Sequence, residues 1–153
     1  MDRPDHDSEA RDDSEARGGN EPLPTWEALY AHAHERYAFD ADGEGWFATT
    51  VFWADTPRSQ QVRVSLFHRS DDAPWIVFRS TVCRRDQLDL EEAIRLNEDL
   101  AVATLALTSD DVYELFYSFP LVALTVDVLD DLINQVAAAA DDLEEPTTGV
   151  DEH

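Results

Sequence analysis

The chain contains no lysine. All 11 of its basic residues are arginine, set against 34 aspartates and glutamates in 153 residues, for a formal net charge of −23. Without lysine there is no Schiff-base or pyridoxal-type catalysis and no phosphate-gripping lysine of the Walker or kinase kind. So few bases also argue against direct nucleic-acid binding, which needs a basic stripe to neutralise phosphates, and an anionic membrane would repel the chain. A single cysteine, Cys83, allows no internal disulfide. The five glycines form neither G-x-G-x-x-G nor G-x-S-x-G. There is no 18-residue apolar run and no apolar signal-type core at the start, so the expectation is a cytoplasmic protein that does not enter a membrane.

What the chain has in excess is acid. Residues 1–24 hold 8 acids and 3 arginines, and Asp7-Ser8-Glu9-Ala10-Arg11 recurs as Asp13-Ser14-Glu15-Ala16-Arg17. No large apolar residue lies between Met1 and Leu23, too little burial to offset ordering entropy, so residues 1–24 are expected to be a disordered acidic head. Pro146 and Gly149 mark residues 144–153 as an acidic disordered tail. Between them, residues 25–143 are expected to form one domain, since a chain this long can bury about two thirds of its unfolded surface in one core. Residues 25–140 alone keep 20 acids against 8 arginines. Such a field attracts basic partners at long range, although salt adaptation or genome-wide composition would produce the same excess.

Apolar periodicity places the elements. Trp26, Leu29, Tyr30, Ala33 and Tyr37 predict a helix with Thr25 as its N-cap. Asp40 to Gly45 reads as a break. Trp46–Trp53, Gln61–His68 and Trp75–Cys83 then read as three strands of a meander. Asp89 with Glu92 starts a second helix that continues through Asn97 to Ala101. Val102–Leu107 and Val112–Phe119 form a hairpin around Thr108-Ser109-Asp110-Asp111, and Leu129, Leu132, Ile133, Val136, Ala140 and Leu143 mark a last helix with Thr125 near its cap. The expected order is α-β-β-β-α-β-β-α, an α+β antiparallel sheet with helices packed mainly on one face.

From Leu96-Asn97 through the hairpin to Tyr117-Ser118-Phe119-Pro120-Leu121 and the closing helix, the chain resembles the YbjN family of small bacterial proteins. That family's fold is similar to that of type III secretion chaperones. The resemblance implies a small antiparallel sheet, frequent homodimers, and a role in binding other proteins or in stress and sensory regulation. It brings no catalytic residues to carry over, and the acidic head is extra to it.

Candidate chemical sites are sparse. Asp40, Asp42, Glu44 and Gly45 imitate the start of a calcium loop, but the position of the bidentate acid falls on Val51. His32 and His34 stand two apart on a helix, which sends their rings to different sides. Arg84 and Arg85 beside Cys83 could favour a thiolate, the basis of an alternative reading as a small-molecule or thiol redox sensor. With 34 acids, carboxylate pairs arise by chance and single out no hydrolase. No enzyme activity, metal or cofactor is expected.

More informative are apolar residues on both faces of the expected sheet. Trp46 and Phe52 oppose Phe47, Val51 and Trp53; Trp75 and Val77 oppose Ile76, Phe78 and Val82; Val112 and Phe116 oppose Tyr113, Leu115, Tyr117 and Phe119. Three helices cover one face, so the other needs a partner unless the sheet curls to enclose both rows. Phe47, Val51, Trp53, Ile76, Phe78 and Val82 are assigned here to a protein-binding or dimer surface, and Trp53→Asp or Phe78→Asp is expected to abolish association without unfolding. The functional expectation is a homodimeric, chaperone-like adaptor for a basic client, such as a single-stranded nucleic-acid-binding protein in a stress response.

Overall fold

The computed structural model describes the backbone of residues 19–148 and the side chains of residues 19–145. Helix α1, Trp26–Arg36, starts at Thr25, whose hydroxyl oxygen accepts the Ala28 N–H at 3.2 Å. Four strands follow as an antiparallel meander: β1 Phe39–Gly43, β2 Trp46–Phe52, β3 Ser59–His68 and β4 Pro74–Arg84. Gly45, at φ +73°, makes the tight turn between β1 and β2. Helix α2, Leu90–Leu96, begins at Asp89, whose carboxylate accepts the N–H groups of Glu91 and Glu92. Strands β5, Thr104–Leu107, and β6, Val112–Pro120, form a hairpin, and α3, Val126–Thr148, closes the chain. Strand β6 pairs with β4, giving the order β1-β2-β3-β4-β6-β5.

The expected α+β class and helix-on-sheet layering are present, with one strand more than the sequence suggested. Strand β1 lies in the stretch read as a break. Only Phe39 of its five residues is even half-buried, so no apolar alternation announces it; its pairing to β2 through the Gly45 turn overrides the poor strand preference of Asp and Gly. Helix α2 stops sooner than expected because Asn97 leaves it. The Asn97 amide donates to the Ala93 and Leu105 carbonyls while its oxygen accepts the Leu105 N–H at 2.7 Å, tying the end of α2 to β5.

Both expected domain edges need correction where the structure describes them. Leu23 is buried, its N–H donates to the Leu124 carbonyl at 2.8 Å, and Pro22 forms a bridge with Thr125. The N–H groups of Val126 and Asp127 donate to the carbonyls of Glu21 and Gly19, while Thr125 accepts the Val128 N–H on its hydroxyl oxygen. The first turn of α3, which has no intrahelical acceptors, is therefore satisfied by the Gly19 and Glu21 carbonyls together with the Thr125 hydroxyl, and that need holds residues 19–21 in place. At the other end α3 runs on through Thr148. Residues 1–18 and 149–153 of the expected head and tail lie outside the described residues.

The three helices pack on one face of the sheet. Leu29 and Ala33 of α1 and Leu129, Ile133, Val136 and Ala137 of α3 meet Phe47, Val62, Val64, Ile76 and Phe78 in the larger core cluster. A second cluster joins Ala93 and Leu88 to Val82, Cys83, Leu105, Tyr113, Leu115 and Ala140. Full burial of each large side chain contributes about 1.5–3 kcal/mol.

Helices α1 and α3 are also joined by a titratable contact. The Tyr37 hydroxyl donates to Asp130, which lies 3.6 Å from Arg36. Burial first, and then the Asp130 carboxylate, push the Tyr37 phenol well above its ordinary value. A folded-state pKa above the unfolded one stabilises the fold below the unfolded value, and that contribution fades as pH climbs past about 10. The stability gap between wild type and Tyr37→Phe should therefore narrow between about pH 9 and pH 11, measured by urea midpoints at each pH.

Candidate functional site

Side-chain alternation along β2, β3 and β4 matches the sequence reading, but the faces are exchanged. Phe47, Ile76 and Phe78 are fully buried and Val82 is 3% exposed, all beneath the helices. Val51 and Trp53 pack against the same core, Trp53 lining a cleft of about 310 Å³ with Arg58, Ala138 and Asp141 beside α3. The row assigned to contacts is thus the interior. It is the more uniformly apolar of the two rows, and the helices cover the row whose burial gains most.

The uncovered face is ordered in cross-strand rows. One row runs Ala48, Arg63, Arg79, Phe116 and Thr104 through β2, β3, β4, β6 and β5. Beside it run Trp46, Ser65, Val77 and Ser118, and then Phe67, Trp75 and Pro120. Phe67 is 54% exposed and Phe52, toward the other end, 76%. Val77 and Ala48 are buried in spite of lying on this face.

Arg63 and Arg79 face each other directly across β3 and β4. The Arg63 guanidinium lies 4.1 Å from the centre of the Trp46 ring, and Arg79 lies 4.6 Å from that of Phe116. Arg69 sits over Trp75 at 5.3 Å, at the end of the same face. Ring faces attract guanidinium groups, which holds these side chains flat on the sheet instead of extended into water. Among the described residues, Arg36, Arg58, Arg69, Arg84, Arg85 and Arg95 each have a carboxylate partner, and Arg63 and Arg79 have none. Like charges directly opposite on a sheet repel, so this pair is held against its own electrostatics.

Next to the pair the β3–β4 ladder opens. The Gln60 side-chain amide donates to the Ser80 hydroxyl at 3.0 Å and to the Thr81 carbonyl, and the Ser80 hydroxyl donates to the Gln61 carbonyl at 2.7 Å. Both side chains are buried and replace the missing backbone pairing. A cleft of about 390 Å³ lies at this opening, lined by Arg63, Arg79, Gln61, Thr81, Glu114 and Glu144 among others. A second exposed apolar feature is the outward stripe of α2, where Leu90 and Ile94 stand one turn apart.

The remaining sequence candidates are dispersed. Asp40 accepts from Thr50 and Gln61 on the open face, whereas Asp42 accepts from Tyr30 of α1 on the helix side, so the two carboxylates diverge. His34 packs against Tyr30 and Phe39, while His32 points elsewhere, its Nε2 buried. Cys83 is buried in the second core cluster at a bulge in β4, while Arg84 and Arg85 turn outward to Asp86 and Asp111. The arginines that were expected to activate the thiol are engaged elsewhere. Arg63 and Arg79 escaped the sequence reading, although symmetry of the β3–β4 hairpin about Asp71 would have paired them.

No family model matches the chain and no curated protein matches it in sequence. Solved structures do resemble it. A chain of the HopA1–SchA chaperone–effector complex superposes with a TM-score of 0.54 at 12% identity, covering 76% of this chain and 88% of that one. The Yersinia pestis type III secretion chaperone SycH, in complex with a stable fragment of YscM2, gives a TM-score of 0.51 at 17% identity, covering 75% and 95%. The chain has a type III secretion chaperone-like fold.

Proposed function

We propose that this protein is a non-enzymatic, chaperone-like adaptor that holds an extended segment of a client on its open sheet face. The observation that carries the reading is the row of half-exposed and exposed aromatics, Trp46, Phe67, Trp75, Phe116 and Phe52, interleaved with arginines on the one face the helices leave bare. Aromatic and arginine side chains dominate the energetic centres of protein interfaces. Support comes from the structural neighbours, which were determined as a chaperone–effector complex and as a chaperone with a bound fragment. The acidic field selects basic clients at long range, such as a single-stranded nucleic-acid-binding protein acting in a stress response in the cytoplasm. Among the described residues no helix is long and apolar enough to cross a membrane. Homodimerisation and the YbjN kinship belong to the same proposal, with Leu90 and Ile94 of α2 as the self-association stripe.

The test separates the two surfaces. Full-length tagged protein is used to capture clients from host cytosol with elution in rising salt, alongside Phe67→Asp/Trp75→Asp and a charge-matched control. Loss of two aromatic anchors should lower client recovery at least about tenfold, with the circular-dichroism spectrum unchanged. Leu90→Glu/Ile94→Glu should leave recovery intact and shift sedimentation to a monomer. Equal recovery by wild type and the aromatic variant would sink the open-face reading.

A further inference from the structure

Strands β3 and β4 run on past their last direct pair, Arg63 and Arg79, without closing against each other. Gln60 and Ser80, 6% and 2% exposed, bridge the gap with side-chain hydrogen bonds. Burying such polar side chains carries a desolvation cost that a continued backbone ladder flanked by apolar residues avoids. What results is a cleft of about 390 Å³, within the size range of small-molecule sites. Its charges balance: Arg63 and Arg79 are matched by Glu114 and Glu144, in a chain with 34 acids against 11 arginines.

A net charge of −23 repels free anions and gathers cations anywhere on the surface, but it exerts no net pull on a dipolar ion, which must be gripped at both ends. The cleft supplies both grips. Arg63 and Arg79 lie over the Trp46 and Phe116 rings at 4.1 and 4.6 Å, an arrangement that uses the guanidinium face and keeps its N–H edge for a carboxylate. Glu114 pairs with Thr81, two residues beyond Arg79 along β4, so Arg79 and Glu114 stand diagonally about 7–8 Å apart on one face. Extended residues advance about 3.4 Å each, so a ligand bridging that diagonal carries its charges two residues apart, as in a dipeptide, and a single α-amino acid is too short. Between the two ends, Gln61 and Thr81 line the cleft with groups able to bond a peptide unit. We propose that this cleft binds a short zwitterionic peptide, its terminal carboxylate on Arg79 and Arg63 and its ammonium on Glu114.

The probe is L-alanyl-L-alanine, titrated into the isotopically enriched full chain and followed by NMR. No client is involved, so failure here leaves the adaptor reading standing. Amide signals of Gln61, Thr81 and Glu114 and the side-chain amide of Gln60 should shift and saturate in the millimolar range. Signals of Leu29 and Ile133 on the helix side should stay in place. N-acetyl-L-alanyl-L-alanine lacks the cation and L-alanyl-L-alanine amide lacks the anion; each should bind at least about tenfold more weakly, the loss expected for one charged hydrogen-bonded end. L-alanine should be weakened as much. Arg79→Gln should erase the preference for a free carboxylate and Glu114→Gln the preference for a free ammonium, with urea midpoints near wild type because neither side chain is buried. Should either variant fail to fold, the ligand series on the unaltered chain decides alone. Shifts that do not saturate, that scatter over the surface, or that any of the other three ligands reproduces at equal affinity would overturn the proposal.

Discussion

Phe78→Asp should abolish folding, with the near-ultraviolet and far-ultraviolet circular-dichroism signals of the domain lost at 25 °C. Phe78 is fully buried, pairs across the sheet with Val64 and Tyr117, and belongs to the core cluster that includes α3. Truncation of such a phenylalanine costs about 3–5 kcal/mol. A carboxylate left unpaired in the same place adds a desolvation penalty of several kcal/mol, against a total stability of about 5–15 kcal/mol for a domain. Phe67→Asp, at the penultimate residue of the adjacent strand and 54% exposed, should shift the urea midpoint only slightly. A folded Phe78→Asp protein with impaired association would restore the surface first inferred from the sequence and overturn the exchange of faces.

A chain starting at residue 25 should be far less stable than one starting at residue 19, although both begin before α1. Removing residues 19–24 uncovers Leu23's pocket, which by analogy with leucine truncations costs about 2–5 kcal/mol. It also strands the Val126 and Asp127 N–H groups and the Leu124 carbonyl, whose present partners are Gly19, Glu21 and Leu23. Each lost hydrogen bond contributes about 0.5–1.5 kcal/mol, so the thermal midpoint should drop by about 10–20 °C between the two truncations. Equal midpoints by calorimetry would place the domain edge at residue 25 after all.

The two corrections share a cause. Alternation within β2, β3 and β4 reveals which residues share a face, because side chains in a strand alternate strictly. It does not reveal which face the helices take, since both rows of β2 and β4 contain large apolar residues. That choice depends on where α1 and α3 return, a matter of connections many residues away. Helices α1 and α3 were legible because each carries its apolar stripe and a threonine cap in local sequence. Strand β1 and residues 19–24 were not, because each is held by backbone hydrogen bonds to a distant partner and advertises at most one apolar side chain, Phe39 or Leu23. The arginine pair falls between these cases: Arg63 sits visibly opposite the Val62–Val64–Leu66 row, but its partner depends on hairpin register.

The two margins of the sheet decide how this protein can and cannot grow into larger structures. At β5 the Leu105 N–H and carbonyl, the groups an incoming strand would seek, are already taken by the Asn97 amide. At β1 the margin is five residues long, broken by a register shift between Phe39 and Ala41, and carries Asp40 and Asp42. Short, irregular and charged edges discourage templated strand addition. A concentrated solution of this protein should therefore resist edge-to-edge polymerisation into extended sheets, and any assemblies it makes should be closed ones that terminate through its faces.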